Sequence, residues 1–165
     1  MNYIITILVF LAVYGFDQVS KYLVEANIAE GESITLIPNL ITITKSYNTG
    51  MAWSMLSSTT GTIILVIISV LASFVLGYFA FKNDWKKKPL RSIAITFALA
   101  GCFGNLYDRF CTVIGVRKGV IDMIHVSFGT TIFNVADFFL VTGLCLVILE
   151  FIIDMVAHRD KKGDE

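Results

Sequence analysis

The chain has 165 residues, of which 56% are hydrophobic and only 16% charged, with a formal net charge of zero. A water-soluble domain carries about 25% charged residues, and the mean hydropathy of +0.75 belongs to a chain that lives in lipid. The composition excludes a soluble globule and gives no ground for nucleic acid as a partner.

Residues 3–22 read as a first span. Met1–Phe16 is apolar and uncharged, but it lacks the basic start and the cleavage site of a removable signal peptide, so a retained helix is expected. Asp17 and Lys21 follow four residues apart, on one face of a continuing helix, where they can pair. The competing interpretation is an interfacial cap with a snorkelling lysine. From Glu25 the character changes. SITLI and LITIT alternate β-branched residues on either side of Pro38-Asn39, the pattern of a short hairpin or small sheet on the membrane surface. Asn48-Thr49-Gly50 then predicts a turn, with Met51, Trp53, Met55 and Leu56 dipping into the interface.

Residues 61–81 contain no charge and suffice to cross a hydrocarbon core of ~30 Å. Lys82, Lys86, Lys87, Lys88 and Arg91 follow, which assigns this connection to the cytoplasm. A third span is expected over 90–108, with Pro89 suited to its first turn, and a fourth over 134–155 before a tail with Arg159, Lys161 and Lys162. Both termini are then cytoplasmic, and 23–60 and 109–133 are extracytoplasmic. The expectation is one integral membrane unit over 1–165: an all-α bundle of four transmembrane helices carrying a small extracytoplasmic sheet and loop subdomain. This orientation brings Asp17, Asp108 and Asp137 to one depth near the outer face, and Asp122 can fold back to it. Glu150 and Asp154 fall near the inner end.

Residues 101–140 hold the chemistry. Asp108, Asp122 and Asp137 stand beside Asn105, Arg109 and Asn134 in an otherwise apolar context, where unpaired polar groups cost several kcal/mol each. Asn105 and Asp108 are three apart, as are Asn134 and Asp137, so each pair shares a helix face. No serine or cysteine nucleophile has a histidine partner; His125 reads as structural and His158 lies in the tail. Carboxylates without histidines match zinc poorly. Cys102, Cys111 and Cys145 form no CxxC pair. Two carboxylates suffice for aspartic hydrolysis, one ionised and activating water, the other protonated and polarising a carbonyl. Intramembrane carboxylates also build proton relays, so hydrolase and proton-coupled transporter stand level on residue chemistry alone. A non-enzymatic bundle, with polar residues that only lock packing, is a third possibility.

FDQVSK, YNTGMAW, GCFGNLYDR, GVIDMI and FNVADFFL, in this order over residues 16–140, resemble the five sequence blocks of the lipoprotein signal peptidase (signal peptidase II) family. The resemblance implies a four-span aspartic peptidase of the bacterial cytoplasmic membrane. Such an enzyme removes the signal peptide of prolipoproteins just before a cysteine that carries diacylglycerol. It further implies a catalytic dyad of Asp122 and Asp137, with Asn105, Asp108, Arg109 and Asn134 in support. Asp17 and Lys21, and Asn48 and Gly50, match the remaining polar positions. Prolipoproteins and membrane lipids are the implied partners, and no metal or organic cofactor is implied. Physically, Asp108 beside Arg109 suits ion pairing, whereas Asp122 and Asp137 have apolar neighbours that favour a shared proton. Asn48, Asn105 and Asn134 are expected to pin the substrate backbone. Met51 and Met123 depart from the family pattern, as does the 109–119 connection with Arg117 and Lys118.

Overall fold

The computed structural model describes residues 2–50 and 58–163, so Met51, Trp53, Met55 and Leu56 lie outside the described residues. Four helices are long and apolar enough to cross a membrane: α1 (Asn2–Asn27), α2 (Thr59–Lys82), α3 (Pro89–Val113) and α4 (Val135–Gly163). Among the described residues there are also four strands: β1 (Ser33–Ile37) and β2 (Ile41–Asn48) between α1 and α2, and β3 (Val120–Val126) and β4 (Ile132–Phe133) between α3 and α4. α1 and α3 run past residues 22 and 108, where the sequence suggests that the spans end. Both continue because Asp17, Lys21 and Asp108 are buried against neighbouring helices instead of marking a water boundary.

α3 is the central helix, packed against α1, α2 and α4. Small residues permit this. A Cβ at Gly101 would lie 2.3 Å from the carbonyl oxygen of Ala136, and one at Gly143 would lie 2.5 Å from that of Ala94. In lipid, where apolar burial gives helices little reason to associate, such backbone approach supplies the packing. Ser58 caps α2, its hydroxyl accepting from the Gly61 N–H at 3.1 Å. Pro89 opens α3, where a missing N–H costs nothing.

The β1–β2 hairpin turns at Pro38-Asn39 as the pattern predicts. The Leu40 N–H donates to the Ile37 carbonyl at 3.1 Å, and Asn39 takes the left-handed conformation (φ 57°) that asparagine tolerates. The hairpin is half of the sheet. β3 and β4 extend it in the order β1-β2-β3-β4, all antiparallel, so residues from the 109–133 connection form strands as well. Ile121 and Met123 of β3 pack on Val24 and Ile28 at the end of α1, which seats the sheet on one end of the bundle.

The opposite end is closed by charge. Lys88, just before α3, and Arg91 of α3 pair with Glu150 and Asp154 of α4 at 2.5–3.4 Å. The indole N–H of Trp85 donates to the Thr6 hydroxyl at 2.8 Å, tying the α2–α3 connection to α1.

Candidate active site

Polar residues of five elements, α1, β2, α3, β3 and the start of α4, meet at the sheet end of the bundle. α4 starts with a reciprocal cap. The Asn134 side-chain oxygen accepts from the Asp137 N–H at 2.9 Å, and the Asp137 carboxylate accepts from the Asn134 N–H at 3.2 Å. The three-residue spacing seen in the sequence thus makes a capping box. It leaves Asp137 in the first turn of α4, where the partial positive charge of the helix end favours an anion. A second cap acts on the next amide: Asp17 of α1 accepts from the Ala136 N–H at 2.8 Å.

Asp122 arrives from the sheet. Along β3 it lies between buried Ile121 and Met123, and strand alternation turns it to the face opposite theirs. β2 carries an irregularity at this point. Ile43 pairs with Ile124, but the next pair is Ser46 with Asp122, so β2 spends one more residue than β3. Without that bulge Asn48 would point away from Asp122, because one residue of slip reverses the face. With it, Asn48 is the diagonal neighbour of Asp122, and its amide donates to Asp122 Oδ2 at 3.0 Å. The Gly50 N–H donates to Asn48 Oδ1 at 3.0 Å and fixes which end of the amide faces the carboxylate. Gly119 lets β3 start close to β2, since a Cβ there would lie 2.9 Å from the Asn48 carbonyl oxygen.

Asn134 joins the two aspartates. Its amide nitrogen donates to Asp122 Oδ1 at 2.7 Å and to Asn105 Oδ1 at 3.1 Å, while its oxygen holds Asp137. Asn105 in turn donates to Asp137 Oδ1 at 2.7 Å and accepts from Lys21 Nζ at 3.3 Å. Both asparagines therefore direct amide donors onto the carboxylates. The buried setting of Asp122, reinforced by the nearby Asp137 charge, pushes its carboxyl up to about 7. The amides of Asn48 and Asn134 oppose this only in part.

Behind this pair lies a wholly buried ionic cluster. Lys21 Nζ is 2.8 Å from Asp17 Oδ2 and 2.7 Å from Asp108 Oδ2, with all three side chains at most 1% exposed. The Asp17–Lys21 pair forms as the four-residue spacing predicts, but it faces the bundle and the lysine does not snorkel. Gly104 admits Asp17, since a Cβ there would lie 2.7 Å from its Oδ2. Asp108 pairs with Lys21 and Arg117, not with Arg109 as adjacency suggests. Consecutive helical side chains diverge by about 100°, so the inward turn of Asp108 carries Arg109 away from it. The Arg109 Nε is buried without a hydrogen-bond partner among the described residues.

Asp17, Lys21, Asn48, Gly50, Asn105, Asp108, Asp122, Asn134 and Asp137 all lie in this network, whereas Glu150 and Asp154 pair at the opposite end of the bundle. Arg117, flagged only as a departure from the family pattern, is the residue missed as a partner. Its signal was a cation in a segment next to buried acids. His125, on β3, bonds the Gly129 carbonyl at 3.1 Å and takes no part.

The model of the Signal peptidase (SPase) II family matches residues 9–153. A lipoprotein signal peptidase of Enterococcus faecalis is 40% identical over 151 residues, covering 90% of this chain and 88% of the relative. One from Staphylococcus aureus is 33% identical over 157 residues, covering 95% and 93%. A solved bacterial membrane enzyme superposes with a TM-score of 0.80 at 34% identity, over 91% of this chain and 88% of its own. The chain therefore belongs to the signal peptidase II family and is a multi-pass bacterial membrane peptidase of the aspartic type.

Proposed function

We propose that this enzyme removes the signal peptide of diacylglyceryl-modified prolipoproteins, cutting before the lipidated cysteine, with Asp122 and Asp137 as the catalytic pair. The observation that carries the assignment is that one residue, Asn134, binds both carboxylates: its side-chain amide donates to Asp122 at 2.7 Å and its backbone N–H donates to Asp137 at 3.2 Å. The surroundings divide the labour. Asp137, at the amide end of α4 and accepting from Asn105, is the ionised member. Asp122, buried and pushed up to about 7, holds the proton.

A water between them loses a proton to Asp137 as its oxygen attacks the scissile carbonyl carbon. The Asp122 proton passes to the carbonyl oxygen, giving a gem-diol. On collapse, Asp122 recovers its proton, and Asp137 delivers the one it took to the departing amine. Asn105 and Asn134 keep the carboxylates in place.

The same reading places the sheet and the pair toward the outer face. The connection with Lys86, Lys87, Lys88 and Arg91 marks the opposite end as cytoplasmic. A diacylglyceryl substrate anchored in the outer leaflet then meets the pair at its own depth, and the apolar helix faces accept its signal helix. A proton relay finds less support, because the other acids of α4, Glu150 and Asp154, are tied to Lys88 and Arg91 at the far end.

The test is cleavage of a prolipoprotein by the purified enzyme, with and without prior diacylglyceryl transfer, the products read by mass spectrometry. One cut, with the lipidated cysteine as the new amino terminus, is expected. Equal cleavage of the unmodified precursor, or a cut elsewhere, contradicts the substrate assignment.

A further inference from the structure

Arg117 sits in the 114–119 connection between α3 and β3, outside the blocks that suggest the site. It is nonetheless the cation that completes the buried cluster. Asp17, Asp108 and Lys21 together carry one uncompensated negative charge, and each is buried. The Arg117 guanidinium pairs with the oxygen of Asp108 that Lys21 leaves free, and its side chain is only 15% exposed. It is held from two sides, by Glu25 of α1 at 3.9 Å and by the Tyr107 ring of α3 at 5.6 Å. Lys118, its neighbour, turns outward to Glu30 at 2.8 Å and to the Tyr47 ring.

We propose that Arg117 is a positioning residue for the peptidase reaction, neutralising the Asp17–Lys21–Asp108 cluster so that it neither repels the ionised member of the catalytic pair nor loosens Asn105. The inference rests on the assignment of Asp122 and Asp137 as that pair. The path is contiguous. Arg117 holds Asp108, Asp108 holds Lys21, Lys21 donates to Asn105, and Asn105 donates to Asp137. A strongly localised Lys21 keeps the Asn105 oxygen turned toward it, which is the orientation that aims the amide donor at Asp137. In a site from which water is excluded, an added net charge is felt over more than one contact.

The titratable and charged groups around this path are Tyr14, Asp17, Lys21 and Glu25 on α1, and Tyr107, Asp108 and Cys111 on α3. Asp122 lies on β3 and Asp137 on α4. Removing Arg117 leaves the cluster at a net charge of minus one, which favours protonation throughout the pair. The active form holds one proton, so both limbs of the pH–rate profile move to higher pH.

The experiment is cleavage of a diacylglyceryl-modified prolipoprotein across pH 5–9 by wild type, Arg117→Gln and Arg117→Lys, with thermal unfolding of each. For Arg117→Gln, an alkaline displacement of up to about one unit is expected, the low end of what a lost charge in direct contact gives, because Arg117 acts on the pair through Asp108. On the acidic limb this lowers kcat by up to about tenfold, with KM changed by less than about twofold. Arg117→Lys keeps the charge and is expected to restore most of the profile. A profile of unchanged position in Arg117→Gln, whether the rate is normal or falls only in step with the melting temperature, overturns the inference and leaves Arg117 a surface clamp. A displacement as large in Arg117→Lys also overturns it. Cleavage at the wild-type rate by Asp122→Asn, assayed alongside, removes the pair itself and the inference with it.

Discussion

Two clusters of two cations and two anions tie this bundle together, one at each end, and they are built to opposite specifications. At the sheet end, Asp17, Lys21, Asp108 and Arg117 lie almost entirely out of solvent. At the far end, Lys88 is 43% and Arg91 34% exposed against Glu150 and Asp154. The formal chemistry is the same, but the energetics are not. Removing charges from water costs several kcal/mol per ion, which a buried pair recovers only with good geometry, whereas half-exposed pairs cost little and contribute little. A chain gains almost nothing in stability from the buried version. Its justification is position: it fixes Asn105 and the first turn of α4, and through them Asp137. The far-end cluster joins the start of α3 to α4 and, among the described residues, touches neither Asp122 nor Asp137.

That contrast can be broken. The largest stability effect is expected for Lys21→Met, which leaves the carboxylates of Asp17 and Asp108 buried together without their shared cation. Removing one partner of a buried pair costs about 3–5 kcal/mol, so thermal unfolding in detergent should show a strongly lowered midpoint together with lost cleavage. A midpoint near that of wild type would mean that the cluster is solvated.

A second effect, spread over about three pH units, follows from Asp122. Its carboxyl is pushed up to about 7, so the folded chain binds a proton that the unfolded chain, in the ordinary carboxylate range, has already released. The stability this contributes is present below that range and is lost as pH rises through about 7, at roughly 1.4 kcal/mol per unit across the window. The unfolding midpoint of wild type should therefore fall between about pH 4 and pH 7, more steeply than that of Asp122→Asn, and cleavage should decline above about pH 7. Identical slopes for the two proteins would contradict the burial of this group. The smallest effect is expected at the far end, where Arg91→Gln should cost about 1 kcal/mol or less and leave kcat unchanged.

Much of this arrangement is legible in the sequence. The spans announce themselves by length and by uncharged runs such as 61–81, and the hairpin by its β-branched alternation around Pro38-Asn39. The spacings Asp17–Lys21 and Asn134–Asp137 predict contacts that form, since each rests on local helical geometry. What is not legible depends on tertiary placement. Adjacency pairs Asp108 with Arg109, but the helix turns them apart and brings Arg117 from beyond the end of α3. Nor does the alternation in β2 reveal its bulge, because the extra residue is defined only against β3, yet it decides whether Asn48 faces Asp122. The glycines of GCFGN read as part of a motif, while their reason, the approach of Ala136 and Asp17 to α3, appears only once the helices are packed.

The most direct test of the account replaces each member of the pair by its isostere. Asp122→Asn and Asp137→Asn should each fold, unfold within a few degrees of wild type, and still bind a diacylglyceryl-modified prolipoprotein. Each should cleave it at least about 10³-fold more slowly, since either change removes a proton-transfer group from the reaction. Cleavage by either folded variant within about tenfold of wild type would contradict the assignment of the pair.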